Sequence, residues 1–167
     1  DIGDIQINGV MAPLLQIGTG FHNEYVAKEN IMMYGFLIGL TKLEIEQKID
    51  SIIEFAELSD FTNMRLKHYS TGMRMKLAFS TAIQINPDIL LVDEILSVGD
   101  AAFREKSLNA FLSFKRENKT ILYTSHNSDK LSKLCDRVLL LHHGKVHSIG
   151  DPDTVLSNYK ELLSQKN

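Results

Sequence analysis

Pro87-Asp88-Ile89-Leu90-Leu91-Val92-Asp93-Glu94 is the stretch on which the fold turns. Four aliphatic residues in a row, closed by two carboxylates, have the form of a strand buried on both faces, as strands of a parallel sheet are. Beyond it runs a helical segment with Phe103, Leu108, Phe111, Leu112 and Phe114 as its buried side. A second short strand, Thr120 to Thr124, leads into Ser125-His126 and a helix near Asp129 to Leu134. Val138 to Leu141, a turn at His143-Gly144 and Val146 to Ile149 read as a hairpin. Asp151-Pro152 then has an N-cap followed by proline at the first helical position, opening a last helix to about Leu163. Strands alternating with helices predict an α/β fold with a parallel sheet.

On the other side of the apolar run the style is helical. Ile5-Gln6-Ile7 alternates apolar and polar and is closed by Asn8-Gly9, which predicts a short strand and turn. From Glu29 to about Leu58 the period is that of a helix. Thr41-Lys42-Leu43-Glu44 has the capping-box form, and Ile45, Ile49, Ile52, Ile53 and Ala56 follow on one face. A third helix follows Ser70, with Met75, Ala78, Phe79 and Ala82 at helical spacing. Pro13, Pro87 and Pro152 are expected at element edges. With no repeat, linker or low-complexity tract, the chain reads as one domain. Residues 1–27 and 86–167 form its α/β core, and residues 28–85 a helical insertion.

The 167 residues fit one domain at about 150 residues each. Eighteen Lys and Arg against 21 Asp and Glu give a net charge of -3, which argues against a nucleic-acid footprint. At 44% hydrophobic and 23% charged, the chain can bury a core. A lone cysteine, Cys135, rules out an internal disulfide framework and fits a reducing compartment. Ile31 to Leu40, the longest apolar run, is broken by Gly35 and Gly39 and is too short to span a bilayer. No signal peptide opens the chain, which reads as cytosolic.

In an open α/β sheet, ligands bind beyond the carboxyl ends of the strands. Here those ends carry Asp93-Glu94 and Thr124-Ser125-His126. Adjacent carboxylates leaving a strand point apart, so one can hold a hydrated Mg²⁺ while the other orients a water, as phosphate-ester hydrolysis requires. A solvated acidic loop accounts for the pair equally well. Tyr69-Ser70-Thr71-Gly72-Met73 places a hydroxyl and a glycine at a helix start, where free amides suit phosphate. An ordinary N-cap explains that segment too.

The order of these elements goes further. Tyr-Ser-x-Gly-Met-x-x-Lys-Leu-Ala-Phe, Pro-Asp-Ile-Leu-Leu-Val-Asp-Glu, Ser-Val-Gly-Asp and Thr-Ser-His together strongly resemble the nucleotide-binding domain of ATP-binding cassette (ABC) transporters, a P-loop NTPase fold, over essentially the whole chain. The resemblance implies that Ser70, Thr71, Gly72 and Met73 are the signature motif. It makes Asp93 the Walker B aspartate acting on Mg²⁺ through water, and Glu94 the general base. Ser97, Val98, Gly99 and Asp100 match the D-loop, His126 the switch histidine, and Gln16 the Q-loop. Residues 28–85 then correspond to the helical signature subdomain. Leu14 to Glu24, Glu29-Asn30-Ile31, the Ser-Val-Gly-Asp form and the Gly-Met ending are similar to the subfamily exporting O-antigens, capsules and teichoic acids. ATP and Mg²⁺ are the implied cofactors. A homodimer through an ATP sandwich and an integral-membrane permease are the implied partners, with no nucleic acid. The implied place is the cytoplasmic face of a bacterial or archaeal membrane.

One departure is large. The family's Gly-x-x-x-x-Gly-Lys-Ser/Thr loop occurs in no window of these residues. Asp1-Ile2-Gly3-Asp4 resembles the strand just after the P-loop helix. The expectation is therefore a partial domain lacking the P-loop portion, which alone neither binds nor hydrolyses ATP appreciably. Two other classes stay open: a soluble ABC-type ATPase acting on DNA or ribosomes, and a non-catalytic module. His142, His143 and His147 lack cysteines and a defined ligand geometry, so packing is preferred to a metal site. Cys135 reads as packing on an apolar helical face. Phe21, Tyr34 and Phe36 fit either a permease-receiving groove or the core.

Overall fold

A computed structural model of the chain describes residues 3–14, 20–93 and 99–164. These fall into two compact units, residues 1–122 and residues 123–167. The first begins with a strand, β1 (Met11–Leu14), and four helices: α1 (Ala27–Leu37), α2 (Lys42–Glu46), α3 (Ile49–Phe55) and α4 (Thr71–Gln84). Then come β2 (Ile89–Asp93), α5 (Ala101–Arg116) and β3 (Thr120–Thr124), the last of which runs across the division.

The apolar run is the central strand of a three-stranded sheet ordered β1-β2-β3. β1 and β2 are parallel, with Met11 opposite Ile89 and Leu14 opposite Val92. Leu90 and Val92 are buried, whereas Ile89 and Leu91 on the opposite face are only half-buried, so the strand is fully closed on one face and not, as expected, on both. The strand expected at Ile5 to Ile7 is not formed. Both isoleucines are exposed, and the chain is tied to the next segment at Val10, whose amide donates to Asp88 Oδ2 at 2.9 Å. Gly9 has φ +113°, and a Cβ there would lie 2.6 Å from that carboxylate. Pro13 sits inside β1 rather than at its edge. As β1 has one strand neighbour among the described residues, a missing amide donor is tolerated there, and Pro13's carbonyl accepts from Tyr34 Oη at 3.2 Å.

The helical stretch expected to run on from the Thr41 capping box to about Leu58 is broken after Glu46, and α3 resumes at Ile49. All five apolar positions are nevertheless buried, because they join Ala27, Ile31, Leu58, Leu66, Tyr69 and Leu77 in one core. The capping box forms as read: Thr41 Oγ1 accepts from the Glu44 amide, and Glu44 Oε2 accepts from the Thr41 amide at 2.8 Å. At the break, Lys48 turns its ammonium onto the Gln84 carbonyl at 3.0 Å, tying α3 to the end of α4. On α5 the buried side is Phe103, Ser107, Phe111 and Phe114; Leu108 is exposed and Leu112 half-buried, because the true stripe runs through Ser107.

The second unit holds α6 (Ser128–Leu134), β4 (Val138–His142), β5 (Lys145–Gly150) and α7 (Pro152–Ser164). β4 and β5 pair antiparallel about the His143-Gly144 turn, where φ is 48° and 74°. Asp151 Oδ1 accepts from the Thr154 amide at 3.1 Å, the cap its sequence promised. Cys135 lies just past α6 in extended backbone, not on a helical face.

Candidate functional site

Ser70 caps α4: its Oγ accepts from the Met73 amide at 3.2 Å, and its carbonyl accepts from the Arg74 amide at 3.0 Å. Ser70 and Thr71 are exposed, Gly72 and Met73 half-buried. The amides of Thr71 and Gly72 belong to the first helical turn, which has no intrahelical acceptors for them, and the positive end of the helix dipole adds to their attraction for an anion. A Cβ at Gly72 would touch nothing but Ser70 Oγ, at an ordinary 3.8 Å. The glycine therefore answers to no neighbour inside the described chain. What holds the helix is its other half, where Leu77, Ala78, Phe79, Ala82 and Ile83 are buried.

Asp93 is the last residue of β2 and is exposed. Gln16, Glu94, Ser97 and Val98 lie outside the described residues. Gly99 has φ +73°, and a Cβ on it would meet Lys76 Cε and Phe103 Cβ, each at 3.1 Å. Asp100 caps α5 with Oδ1 on the Phe103 amide at 2.9 Å and pairs Oδ2 with Lys76 at 2.9 Å. The Lys76 hydrogen bond first, and the Phe103 amide second, pull the Asp100 carboxyl down to about 2. His126 belongs to the second unit and is exposed in the bend between β3 and α6. Beside it Ser125 Oγ accepts from the Asn127 amide at 3.1 Å, and Asn127 in turn caps α6.

Phe21 and Tyr34 pack edge to face, 6.3 Å between ring centres, and Tyr34 is buried; burial alone pushes its phenol up to about 12. Phe36 instead lies exposed beside Leu37 and Met33, so the three aromatics divide between packing and surface. Among the described residues, no group of three or more His, Cys, Asp and Glu side chains could hold a metal. His142 stands 4.1 Å from His143 and 6.3 Å from His147, ring centre to ring centre.

Two residues have structural roles that the sequence did not assign. Asn30 is buried, accepts from the His22 amide, and donates to the carbonyls of His22, Tyr25 and Val26, pinning residues 22–26 to α1. Lys76 joins Glu57 to Asp100. Both lie in stretches that carried the family resemblance, Glu29-Asn30-Ile31 and the lysine of the signature run, but nothing in the sequence named their contacts.

The fold that carries this capped helix start and this strand is that of part of an ATP-binding-cassette domain. A profile of the family described as ABC transporter matches residues 7–97, and the chain belongs to that family. It is 41% identical over 97% of its length to the O-antigen export system ATP-binding protein RfbB of Myxococcus xanthus, and 42% over 99% to the teichoic acids export ATP-binding protein TagH of Enterococcus faecalis. It is 38% identical to an RfbB of Klebsiella pneumoniae over 97% of its length. The chain spans 37% of the first two proteins and 66% of the third. Among solved structures, the ATP-binding subunit of an ABC transporter superposes with a TM-score of 0.75 at 21% identity, covering 90% of this chain and 62% of that one. The α/β fold expected of the sequence is thus the fold observed, in part of an ABC ATPase domain. No helix among the described residues is long and apolar enough to cross a membrane.

Proposed function

We propose that the protein carrying this chain is the ATP-hydrolysing subunit of an exporter of a lipid-linked polysaccharide or teichoic acid. It works as a homodimer on the cytoplasmic face of a prokaryotic membrane beside a separate permease. The observation that carries the reading is Gly72: an open helix start with a glycine that no contact among the described residues requires suits a polyphosphate arriving from outside. The export systems named for the relatives supply the substrate class. A dimeric ATP-binding cassette in a post-hydrolysis state with ADP and Pi, which shares the fold at a TM-score of 0.66 and 20% identity, supports the dimer by analogy.

In this reading residues 1–27 and 86–167 make the α/β core and residues 28–85 the signature subdomain. Asp93, an exposed oxygen donor, suits Mg²⁺, which keeps several waters and binds through one or two carboxylates plus phosphates. Bound there, the ion would neutralise charge developing on the phosphates. Glu94 takes a proton from the attacking water as its oxygen bonds to the γ-phosphorus and the bond to the β-phosphate oxygen breaks, leaving ADP and phosphate. His126 contacts the γ-phosphate, Gln16 senses the site, and Ser70 to Met73 with Asp100 complete the site of the partner subunit. Exposed Met33, Phe36 and Leu37 offer the permease an apolar seat.

Glu94→Gln in the full-length protein tests the assignment. It keeps size and hydrogen bonding but removes the base, and losing a general base costs about 10²–10⁴-fold in rate. Hydrolysis should collapse while ATP binding survives and dimers accumulate on ATP. Near-normal turnover rules Glu94 out.

A further inference from the structure

Three segments of the first unit meet at one ammonium. Lys76 Nζ on α4 lies 2.7 Å from Glu57 Oε2 and 2.9 Å from Asp100 Oδ2, and 4.9 Å over the Phe103 ring. Its side chain is 14% exposed. Burial pulls that ammonium down, but the hydrogen bonds to Glu57 and Asp100 outweigh it. Glu57 follows α3 with φ 61°, an unusual backbone for a glutamate, and its other oxygen is 3.7 Å from Lys106. Lys106 in turn donates to the Phe55 carbonyl at 2.8 Å. The turn before α5 passes against the Lys76 stem as closely as Gly99 permits.

Stability does not explain this arrangement. An ion pair of this kind contributes little net, because desolvating the ammonium cancels much of the attraction. Capping α5 does not require a charge either, since asparagine caps as well as aspartate. What the charges add is direction. One carboxylate is fixed at both oxygens, one to α5 and one to α4, so the two helix starts hold a set spacing.

We propose that Lys76 is a positioning residue that locks Asp100 to the signature helix, so that the first turn of α4 and the start of α5 approach the partner's nucleotide as one body. The inference rests on the hydrolytic reading above. Its test measures kcat, KM for ATP and thermal midpoint in the full-length protein for Lys76→Met, Lys76→Arg, Asp100→Asn and the Met/Asn double variant. Misplacement predicts that Lys76→Met loses about ten- to a hundredfold in kcat. KM and the midpoint should stay nearly unchanged, and arginine should restore most of the rate. Asp100→Asn keeps the capping oxygen and should show the same loss, with the double variant no worse than either single. Normal turnover in Lys76→Met, losses that multiply in the double, or a loss that follows the midpoint would each overturn the proposal. Should Lys76→Met not fold, Asp100→Asn and Glu57→Gln carry the same expectation. Glu94→Gln measured alongside separates the two ideas: inactive there with Lys76→Met normal, only the positioning role falls, whereas an active Glu94→Gln removes the hydrolytic reading and the proposal with it.

Discussion

Replacing Gly72 by alanine separates packing from function. Gly72 lies in the first turn of α4 outside the left-handed region, and among the described residues the added methyl would meet only Ser70 Oγ, at 3.8 Å. No strain opposes the change. Alanine in place of glycine inside a helix gains about 0.5–1 kcal/mol, chiefly by restricting the unfolded chain. A first turn frays, so the lower end, about 0.5 kcal/mol, is expected here. The functional consequence has the opposite sign. A phosphate oxygen accepting from these amides would stand about 2.9 Å from the nitrogen, in the space the methyl enters. Losing one hydrogen bond to a charged group costs about 1.5–3 kcal/mol, or about ten- to a hundredfold in affinity or rate. The assay pairs urea midpoints with ATP turnover of the full-length protein. Gly35→Ala is the contrast, because a Cβ there would lie 2.5 Å from Ile45 Cδ1 in the helical core, and such overpacking costs about 1–3 kcal/mol. A lowered midpoint in Gly72→Ala refutes the steric reading. Unchanged turnover refutes the arrival of a phosphate at this turn.

Ser70→Ala removes the cap on the Met73 amide and should cost about 0.5–2 kcal/mol, while turnover falls much further. Mixed with Glu94→Gln subunits it should regain part of the rate, with a maximum at intermediate ratios; a straight line between two inactive end-points contradicts independent shared sites. Asp100, held at about 2 against an ordinary 3.8, contributes stability that is complete above pH about 4 and is lost as pH falls toward 2. Asp100→Asn should therefore flatten the acid limb of the stability curve within that window, lowering stability slightly at neutral pH, where the pair's small contribution is complete, and leaving it unchanged below pH about 2.

Local chemistry was the legible part of this sequence. Thr41-x-x-Glu44, Ser70 and Asp151-Pro152 each fix a cap within a few residues, and each forms as read. The parallel pairing of Ile89 to Val92 followed from an unbroken aliphatic run. What failed depended on distant partners. Ile5 and Ile7 alternate as strand residues do, but alternation forms no strand without a neighbour to pair with. The break between α2 and α3 was hidden because both pieces feed one core, so the period survives a change of axis. Ser107 displaced Leu108 from the buried stripe of α5, an inversion that composition argues against and only packing decides. The lysine of the signature run was legible as part of that motif, but its role at Lys76 was not, since Glu57 and Asp100 come to it from separate segments.

The construction of α4 explains why these substitutions can separate activity from folding. Its second half is buried almost all round, with Leu77, Phe79 and Ile83 inside and the buried hydroxyls of Ser80 and Thr81 bonded to the carbonyls of Lys76 and Leu77, each at 2.7 Å. Each large side chain there contributes about 1.5–3 kcal/mol on burial, and together they far exceed the contribution of one cap. The first turn adds little to the stability of the helix and is held in place by what lies behind it. A change at Ser70 or Gly72 therefore leaves the helix where it is and alters only what its amides can meet. The same anchoring gives Lys76 its leverage: sitting where the exposed half passes into the buried half, it transmits the position of a fixed helix to Asp100.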